Sequence, residues 1–172
     1  EGIKFVGAKL INCKLINASL THSNLQNADL TGANLTGSRM ASSNLKGANL
    51  TNANLTRVGL IGADLTAAKL GGAILTEATY DKSTKFPLGF DPASKGAIGP
   101  DANLKGKDLT GLSLSGGDFS NTDLSNAVLT GISGAYPAVS FKNAKMVNVD
   151  LTSAFLRSAE FSGADLTDSN LS

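Results

Sequence analysis

Large apolar residues recur every five positions along most of the chain. Counted from Phe5, this large position is apolar at every fifth residue as far as Tyr80, and Leu fills it most often. Two residues before each lies a small position, usually Ala or Ser, and the outward position between them is usually Asn or Asp. Two corner residues, commonly Thr followed by Gly or Asn, complete each unit. The pattern predicts repeats over residues 3–80, 102–133 and 139–172, separated by an insertion at 81–101 and a short slip at 134–138.

A period of five fits neither a regular helix nor a straight strand, which have periods of 3.6 and 2. The small and large positions are two residues apart, so an extended segment directs both side chains to the same side. The next small position comes three residues later and would face outward on a straight chain. Because the intervening residues are types that favour turns, the chain is predicted to bend once per unit and to coil into a solenoid with one interior.

The repeated units resemble those of the pentapeptide-repeat family, which read approximately A-[ND]-L-x-x. Matching stretches include Ala28-Asp29-Leu30, Ala48-Asn49-Leu50, Ala63-Asp64-Leu65 and Ala164-Asp165-Leu166. The resemblance implies an all-β fold, a right-handed quadrilateral β-helix with four units per coil. The 29 units of the chain would then form about seven coils, with one insertion loop of about 20 residues. That loop is similar to an insertion in cyanobacterial members, which implies a cyanobacterial or plastid origin.

Composition adds limits on the class of protein but leaves the compartment open. The 172 residues suggest a single domain, and aromatic residues make up only 5% of the chain, as expected for a narrow solenoid interior. No apolar run is long enough for a transmembrane helix, and no signal peptide is apparent. Since the chain starts at Glu1, it could be a processed form, so cytoplasm, periplasm and thylakoid lumen all stay open.

No arrangement of residues in the sequence predicts catalysis. His22 is the single histidine and lies at a corner, and the chain has no CxxC, HExxH or P-loop motif. We therefore expect a protein that is not an enzyme and uses no cofactor or metal. Cys13 occupies a small position, where a buried thiol acting as a small apolar group is expected. Lys107 also occupies a small position and is expected to reach solvent or to pair with a carboxylate.

The insertion is the most distinctive candidate for an interaction site, because long loops in compact folds are often functional. Two interpretations stay open, since its aromatic residues could contact a partner or pack back on the solenoid. Phe155 is a second candidate, because it replaces the usual outward Asn or Asp. The predicted protein-interaction residues are Lys85, Phe86, Pro87, Leu88, Phe90 and Phe155.

The function expected from this pattern is a non-enzymatic structural or protein-binding scaffold with an unknown protein partner. The alternative is a DNA-mimicking modulator of a type II topoisomerase such as gyrase, a role known in the family. A net charge of +1 argues against it, because a DNA mimic needs a strongly acidic surface. Nucleic-acid binding is not expected either, since there is no basic stripe with interleaved aromatic residues. The repeats run from Ile3 to Leu171 without an evident cap, so an end-to-end homodimer is also expected.

Overall fold

The chain forms two compact units in a computed structural model that describes residues 2–100, 104–112, 114, 116–134 and 138–172. The N-terminal unit is Glu1–Ala97 and the C-terminal unit is Ile98–Ser172. The one helix among the described residues is a 3₁₀ turn, Ala93–Lys95. The remaining regular structure consists of parallel β-bridges between successive coils.

In the N-terminal unit, outward positions pair with those 20 residues further along the chain. Asn24 pairs with Asn44 and Asn44 with Asp64, and the same spacing joins Asp29 to Asn49. Four pentapeptides therefore complete one coil, as the family resemblance implied. Each coil presents four walls, and a wall is a column of outward residues stacked at this spacing.

Each pentapeptide ends in a tight turn whose third residue has a left-handed backbone conformation. In the turn that starts at Leu50, the Ala53 N–H donates to the Leu50 carbonyl at 3.0 Å, and Asn52 has a φ of 58°. A positive φ at that place is the mark of a type II turn and favours Gly and Asn. This explains why the second corner residue is so often one of these two types.

The interior of the N-terminal unit is a stack of leucines lined by small residues. Leu50 and Leu55 are buried, and so are Ala48 and Ala53 in the small positions before them. The prediction that both positions share one interior is thus confirmed. Backbone hydrogen bonds tie each coil to the next, as when the Leu50 N–H donates to the Lys69 carbonyl at 2.8 Å.

The C-terminal unit follows the same plan but shifts its spacing. Asp118 pairs with Ser140 and Val128 with Asp150, so coils that include the 134–138 slip contain 22 residues. Gly134 takes the large position there, and a methyl group on it would lie 2.7 Å from Val139 Cγ1. Residues 135–137 of the predicted slip lie outside the described residues, and the bridges on both sides of it, at Ser133 and Ser140, stay in place.

The segment at 81–101 begins inside the coil. Asp64 forms a parallel bridge with Lys85, so the spacing grows by one residue and pairing continues.

Lys107 is exposed, as expected. Cys13 is a free cysteine of intermediate exposure, which corrects the expectation of a buried thiol. Its coil has a neighbouring coil on one side only among the described residues, so its small positions are incompletely covered.

Candidate protein-interaction site

The start of the predicted loop is anchored to the preceding coil by one carboxylate. Asp81 Oδ1 accepts hydrogen bonds from the backbone N–H groups of Gly62 and Thr84, both at 3.0 Å. The Ser83 hydroxyl donates to the same carboxylate at 2.8 Å, and the Thr84 hydroxyl lies 2.9 Å from the Leu60 carbonyl. These contacts accommodate the one extra residue between Asp64 and Lys85 and keep the following residues paired with the preceding coil.

Lys85 lies in an outward position beside a carboxylate that it shares with a second lysine. Asp64 Oδ2 is 3.5 Å from Lys85 Nζ and 3.4 Å from Lys46 Nζ. Burial raises the pKa of Asp64, but hydrogen bonds from Thr66 and the charge of Lys46 outweigh it, so the pKa lies below its ordinary value. One carboxylate therefore faces two ammonium groups, and the wall remains locally basic.

Phe86 and Phe90 pack against the leucine core of the N-terminal unit. Their rings stack with centroids 5.6 Å apart, and Phe86 meets Tyr80 edge to face at 5.5 Å. Both residues have intermediate exposure and contact the buried core cluster. The interpretation in which the loop aromatics pack back on the solenoid is confirmed for these two rings.

Leu88 is the fully exposed tip between those two aromatic anchors, with a relative exposure of 106%. It sits in a turn closed by a 3.0 Å hydrogen bond from the Phe90 N–H to the Pro87 carbonyl. Gly89 follows with a φ of 76°. Among the described residues, no other large apolar side chain is as exposed.

The segment then returns to the coil through the 3₁₀ turn Ala93–Lys95. Gly96 ends this turn in the left-handed conformation, and its carbonyl accepts from the Glu77 N–H at 2.8 Å. Ala97 is buried. Both ends of the loop are therefore fixed by the ladder.

Phe155, the remaining predicted contact, lies in the C-terminal unit. It is 60% exposed and forms a bridge with Ser133 at an outward position. The structure thus brings Lys85, Phe86, Pro87, Leu88 and Phe90 together in one loop and places Phe155 in the other unit.

A band of alternating lysine and aliphatic residues encircles three walls of the first coil. Each aliphatic residue lies at a corner two positions after a lysine, a spacing that sequence reasoning missed. The signal was available as a Lys-x-[Val/Ile] spacing repeated every five residues. The lysines are Lys4, Lys9 and Lys14, and the aliphatic residues, exposed by 49% to 57%, are Val6, Ile11 and Ile16.

His22 is exposed at a corner with a φ of 58°. Within the described part of the chain, no three His, Cys, Asp or Glu side chains come together as a metal site. The same residues contain no helix with the length and apolar character needed to cross a membrane.

Comparison with known proteins identifies the repeat. The family model for pentapeptide repeats matches in eight copies, over residues 3–41, 43–79, 101–131 and 138–172. A pentapeptide repeat protein of Nostoc Pcc 7120 is 34% identical, with 56% of this chain and 80% of that chain covered and a TM-score of 0.55. Rfr23 of the cyanobacterium Cyanothece 51142 is 36% identical, with 48% of this chain and 56% of that chain covered and a TM-score of 0.48.

A more distant match is QnrB1, a plasmid-mediated fluoroquinolone resistance protein. It is 18% identical, with 98% of this chain and 89% of that chain covered and a TM-score of 0.45, values that support no statement about function. No match was found among curated proteins. Since the family model covers most of the residues, the chain belongs to the pentapeptide-repeat family, whose members fold as right-handed quadrilateral β-helices.

Proposed function

We propose that this chain is a non-enzymatic scaffold that binds a partner protein through the loop at 81–98, with Leu88 as the central apolar contact. The observation that carries the proposal is the full exposure of Leu88 in a loop whose neighbouring aromatic rings are anchored. The family is generally a non-enzymatic scaffold, which agrees with this role. We also propose that the repeats form about seven coils, the number predicted from the sequence.

A rigid base makes an exposed leucine useful for binding. Fixing a mobile side chain or loop at an interface costs free energy, and a preformed loop avoids much of that cost. Here Phe86 and Phe90 pack on the core on either side of the tip, and the backbone turn at Pro87 holds Leu88 outward. A partner with a small apolar pocket could therefore bury Leu88 without first ordering the loop.

The charges around the tip favour an acidic partner surface. Asp81 is occupied by backbone and hydroxyl donors, and Asp91 accepts from the N–H groups of Ala93 and Ser94. Lys85 and Lys95 remain exposed. Since residues 81–98 carry three lysines against two carboxylates, and both carboxylates accept hydrogen bonds from neighbouring residues, a pocket ringed by carboxylates would complement the loop.

The topoisomerase alternative gains no support from the distribution of charge. The N-terminal unit carries ten Lys and Arg residues against six Asp and Glu, so about half of the chain is basic. A mimic of the DNA backbone would need acidic groups along its length.

The test uses photo-crosslinking from position 88 of the 172-residue chain, with a benzophenone amino acid in place of Leu88. The same group at position 155 is the matched control, because Phe155 is also an exposed apolar side chain. A protein that crosslinks from position 88 is then purified, and its affinity is measured for the unmodified chain and for the Leu88→Asp and Phe155→Asp variants.

We expect Leu88→Asp to weaken binding by about tenfold or more, since a buried apolar contact becomes a buried charge. Phe155→Asp should leave the affinity unchanged. Equal affinity for all three proteins would show that the loop is not the contact surface. A loss confined to Phe155→Asp would move the site to the C-terminal unit.

A further inference from the structure

Three backbone groups of a pentapeptide pair with the coil that follows it in the regular ladder. The N–H of the large position donates to the carbonyl of the outward residue one coil further on, as Leu50 does to Lys69 at 2.8 Å. The N–H of that outward residue donates back to the small-position carbonyl, as Lys69 does to Ala48 at 2.9 Å. The N–H of the second corner residue also donates to the next coil, as Asn52 does to Gly71 at 2.8 Å.

One pentapeptide inside the N-terminal unit lacks all three of these bonds. The Ala68 carbonyl and the N–H groups of Leu70 and Gly72 form no hydrogen bond with any described residue. Nearly all backbone donors and acceptors in folded proteins are paired, so a stretch of ladder without partners calls for a physical explanation. We call this stretch, residues 68–72, the open edge.

The open edge lies where the insertion interrupts the coil. On the preceding wall the ladder is intact, since the Leu65 N–H donates to the Lys85 carbonyl at 2.7 Å. Pairing resumes where the Glu77 N–H donates to the Gly96 carbonyl at 2.8 Å. Between Lys85 and Gly96 the chain forms the exposed turn and the 3₁₀ turn instead of regular pentapeptides. The gap in the ladder is therefore a consequence of the insertion.

Solvent reaches the open edge from its outer side. Lys69, Gly71 and Gly72 are exposed, and nothing lies within 4 Å of a methyl group placed on Gly71. Ala68 and Leu70 are 7% and 8% exposed, whereas the same two positions of the preceding coil are fully buried. The unpaired groups thus lie beside an accessible corner of the coil.

The inner side of the open edge needs little further cover. Phe86 and Phe90 already pack against the leucine core of this unit. On the next wall the Leu75 N–H also has no partner among the described residues, but Leu75 is buried. A segment that joins the edge therefore needs small inward side chains, and its pairing is expected to end at Gly72.

The outward side chain of the open edge is a lysine that lacks a close carboxylate. Lys69 acts on Asp29, two coils away on the same wall, but forms no ion pair with any described residue. On the neighbouring wall, Lys85 Nζ lies 3.5 Å from Asp64 Oδ2 of the preceding coil. A carboxylate one coil after Lys69 would form the same contact in reverse order, so the edge favours an acidic segment.

We propose that the open edge binds an extended segment of a partner protein, which adds a parallel strand to the N-terminal unit. Unpaired groups at the edge of a sheet are a template for such addition. An Asp or Glu of the segment donates its N–H to the Ala68 carbonyl, accepts from the Leu70 N–H and places its carboxylate beside Lys69. The residue two places on accepts from the Gly72 N–H. This goes beyond the proposed contact at Leu88, because it uses backbone groups and holds whether or not Leu88 binds a protein.

The first measurement is amide hydrogen exchange of the full chain, followed by NMR. It compares Leu70 and Gly72 with Leu50 and Asn52, which hold the same positions one coil earlier and are paired. We expect Leu70 and Gly72 to exchange about a hundredfold faster or more, since unpaired amides exchange without local opening of the ladder.

The second measurement is a titration of the labelled chain with the peptide acetyl-Ala-Glu-Ala-Thr-Gly-amide, in which Glu takes the outward position. We expect the amide resonances of Leu70 and Gly72 to shift and their exchange to slow. Methylation of the Glu nitrogen removes the donor to the Ala68 carbonyl and should weaken binding about tenfold. Methylation of the next Ala nitrogen is the matched control, because that N–H points away from the edge and its loss should leave the affinity unchanged.

The charge preference is tested by exchange of the two partners. Lys69→Glu should bind the Glu peptide about fivefold more weakly and should prefer a peptide with Lys in place of Glu. Lys142→Glu changes the net charge equally but lies in the C-terminal unit, so it should bind as the unmodified chain does.

Four results would overturn the proposal. Protection of Leu70 and Gly72 in the free chain, equal to that of Leu50 and Asn52, would show that the chain closes its own ladder. Absence of shifts at Leu70 and Gly72 at millimolar peptide would show that the edge accepts no strand. Equal affinity of the two methylated peptides would remove the backbone pairing. Equal binding of the Glu peptide by Lys69→Glu and the unmodified chain would remove the acidic preference.

Discussion

The two compact units build the same coil from different interiors. In the N-terminal unit, leucines such as Leu45 and Leu65 stack in the interior and alanine fills most small positions. In the C-terminal unit, Phe119, Phe141 and Phe161 stack with ring centroids 5.7 and 5.3 Å apart. The small position before Phe119 is Gly117, where a methyl group would lie 2.4 Å from Phe119 Cε2. The comparison teaches that the coil accepts aromatic rings as well as leucine in the large position, and at Phe119 the missing side chain of Gly117 leaves room for the ring.

The units also differ in charge, a difference that the near-neutral total conceals. The N-terminal unit has ten Lys and Arg residues against six Asp and Glu, and the C-terminal unit has five against eight. The same outward positions thus carry a basic surface in one unit and an acidic surface in the other. Because outward side chains do not enter the interior, the fold tolerates either sign.

The largest loss of stability is expected from Phe141→Ala, which removes the central ring of the aromatic stack. Phe141 is fully buried and stacks on a ring at either side. Its removal should lower the free energy of unfolding by about 3–5 kcal/mol, against about 2–5 kcal/mol for Leu50→Ala in the other unit. Urea denaturation measures both. Phe155→Ala, at an exposed position, is the control, and a Phe141→Ala loss no larger than that of the control would contradict an aromatic core.

Whether Gly117 and Phe119 share one volume can be tested with Gly117→Ala. The new methyl group would meet Phe119 at 2.4 Å and the Leu114 carbonyl oxygen at 2.9 Å, so the unfolding free energy should fall by about 1–3 kcal/mol. Gly71→Ala is the matched control, because nothing lies within 4 Å of a methyl group there.

Restoring the common pattern should rescue this variant. Adding Phe119→Leu to Gly117→Ala creates an Ala-Asp-Leu unit like those of the N-terminal unit, and most of the lost stability should return in the same denaturation experiment. If the double variant were no more stable than Gly117→Ala alone, the two positions would not share one volume.

Corner glycines offer a smaller comparison between the units. Gly32 and Gly131 both have a φ of 65°, so alanine strains either corner by about 1–2 kcal/mol. At Gly32 the methyl group would also lie 2.2 Å from Asn12 Oδ1, whereas nothing is within 4 Å at Gly131. We expect Gly32→Ala to cost more in thermal melts, and the excess to disappear when Asn12→Ala is added. Equal costs for Gly32→Ala and Gly131→Ala would show that Asn12 moves aside freely.

The repeat was predictable from the sequence because every pentapeptide carries the same pattern of small, large and turn-forming residues. The alternation of Ala48 and Leu50 with turn-forming corners indicates a bend after every pair, and the coil follows from repetition. The sequence pattern could not show that pairing continues from Asp64 to Lys85. The contact that makes this possible, Asp81 with the Gly62 N–H, joins residues 19 apart and depends on geometry that a period of five does not encode.

The segment that forms the candidate site was predictable from the sequence. Which of its apolar residues pack on the core and which face solvent was not. Phe86, Leu88 and Phe90 are all apolar residues in one loop, and composition alone cannot separate them. The structure does so because Phe86 and Phe90 reach the core beside Tyr80, while the turn at Pro87 directs Leu88 away.

The smallest effect on stability per residue is expected from protonating the outward carboxylates, because each remains accessible to solvent. Hydrogen bonds from the residue two places on hold the pKa below its ordinary value at Asp29 in the N-terminal unit. The same holds for Asp123, Asp150 and Asp165 in the C-terminal unit. At Asp64, also in the N-terminal unit, the Thr66 bonds and Lys46 overcome the opposing effect of burial. A depressed folded-state pKa means that the unfolded chain binds more protons, so stability is full above the unfolded value of about 3.9 and falls as the pH drops below it.

More of these groups lie in the C-terminal unit, so replacing them should protect the chain more from acid. Asparagine keeps the geometry without titrating, as Asn34 shows by accepting from the Thr36 N–H at 3.1 Å and the Thr36 hydroxyl at 2.7 Å. The melting temperature between pH 6 and pH 2 is measured for Asp29→Asn with Asp64→Asn and for a triple variant of the C-terminal unit. We expect the triple variant, which carries Asp123→Asn, Asp150→Asn and Asp165→Asn, to lose less melting temperature toward acid than the double variant. An acid profile of the triple variant identical to that of the unmodified chain would show that hydrogen bonds from Thr and Ser do not hold these carboxylates in the folded state.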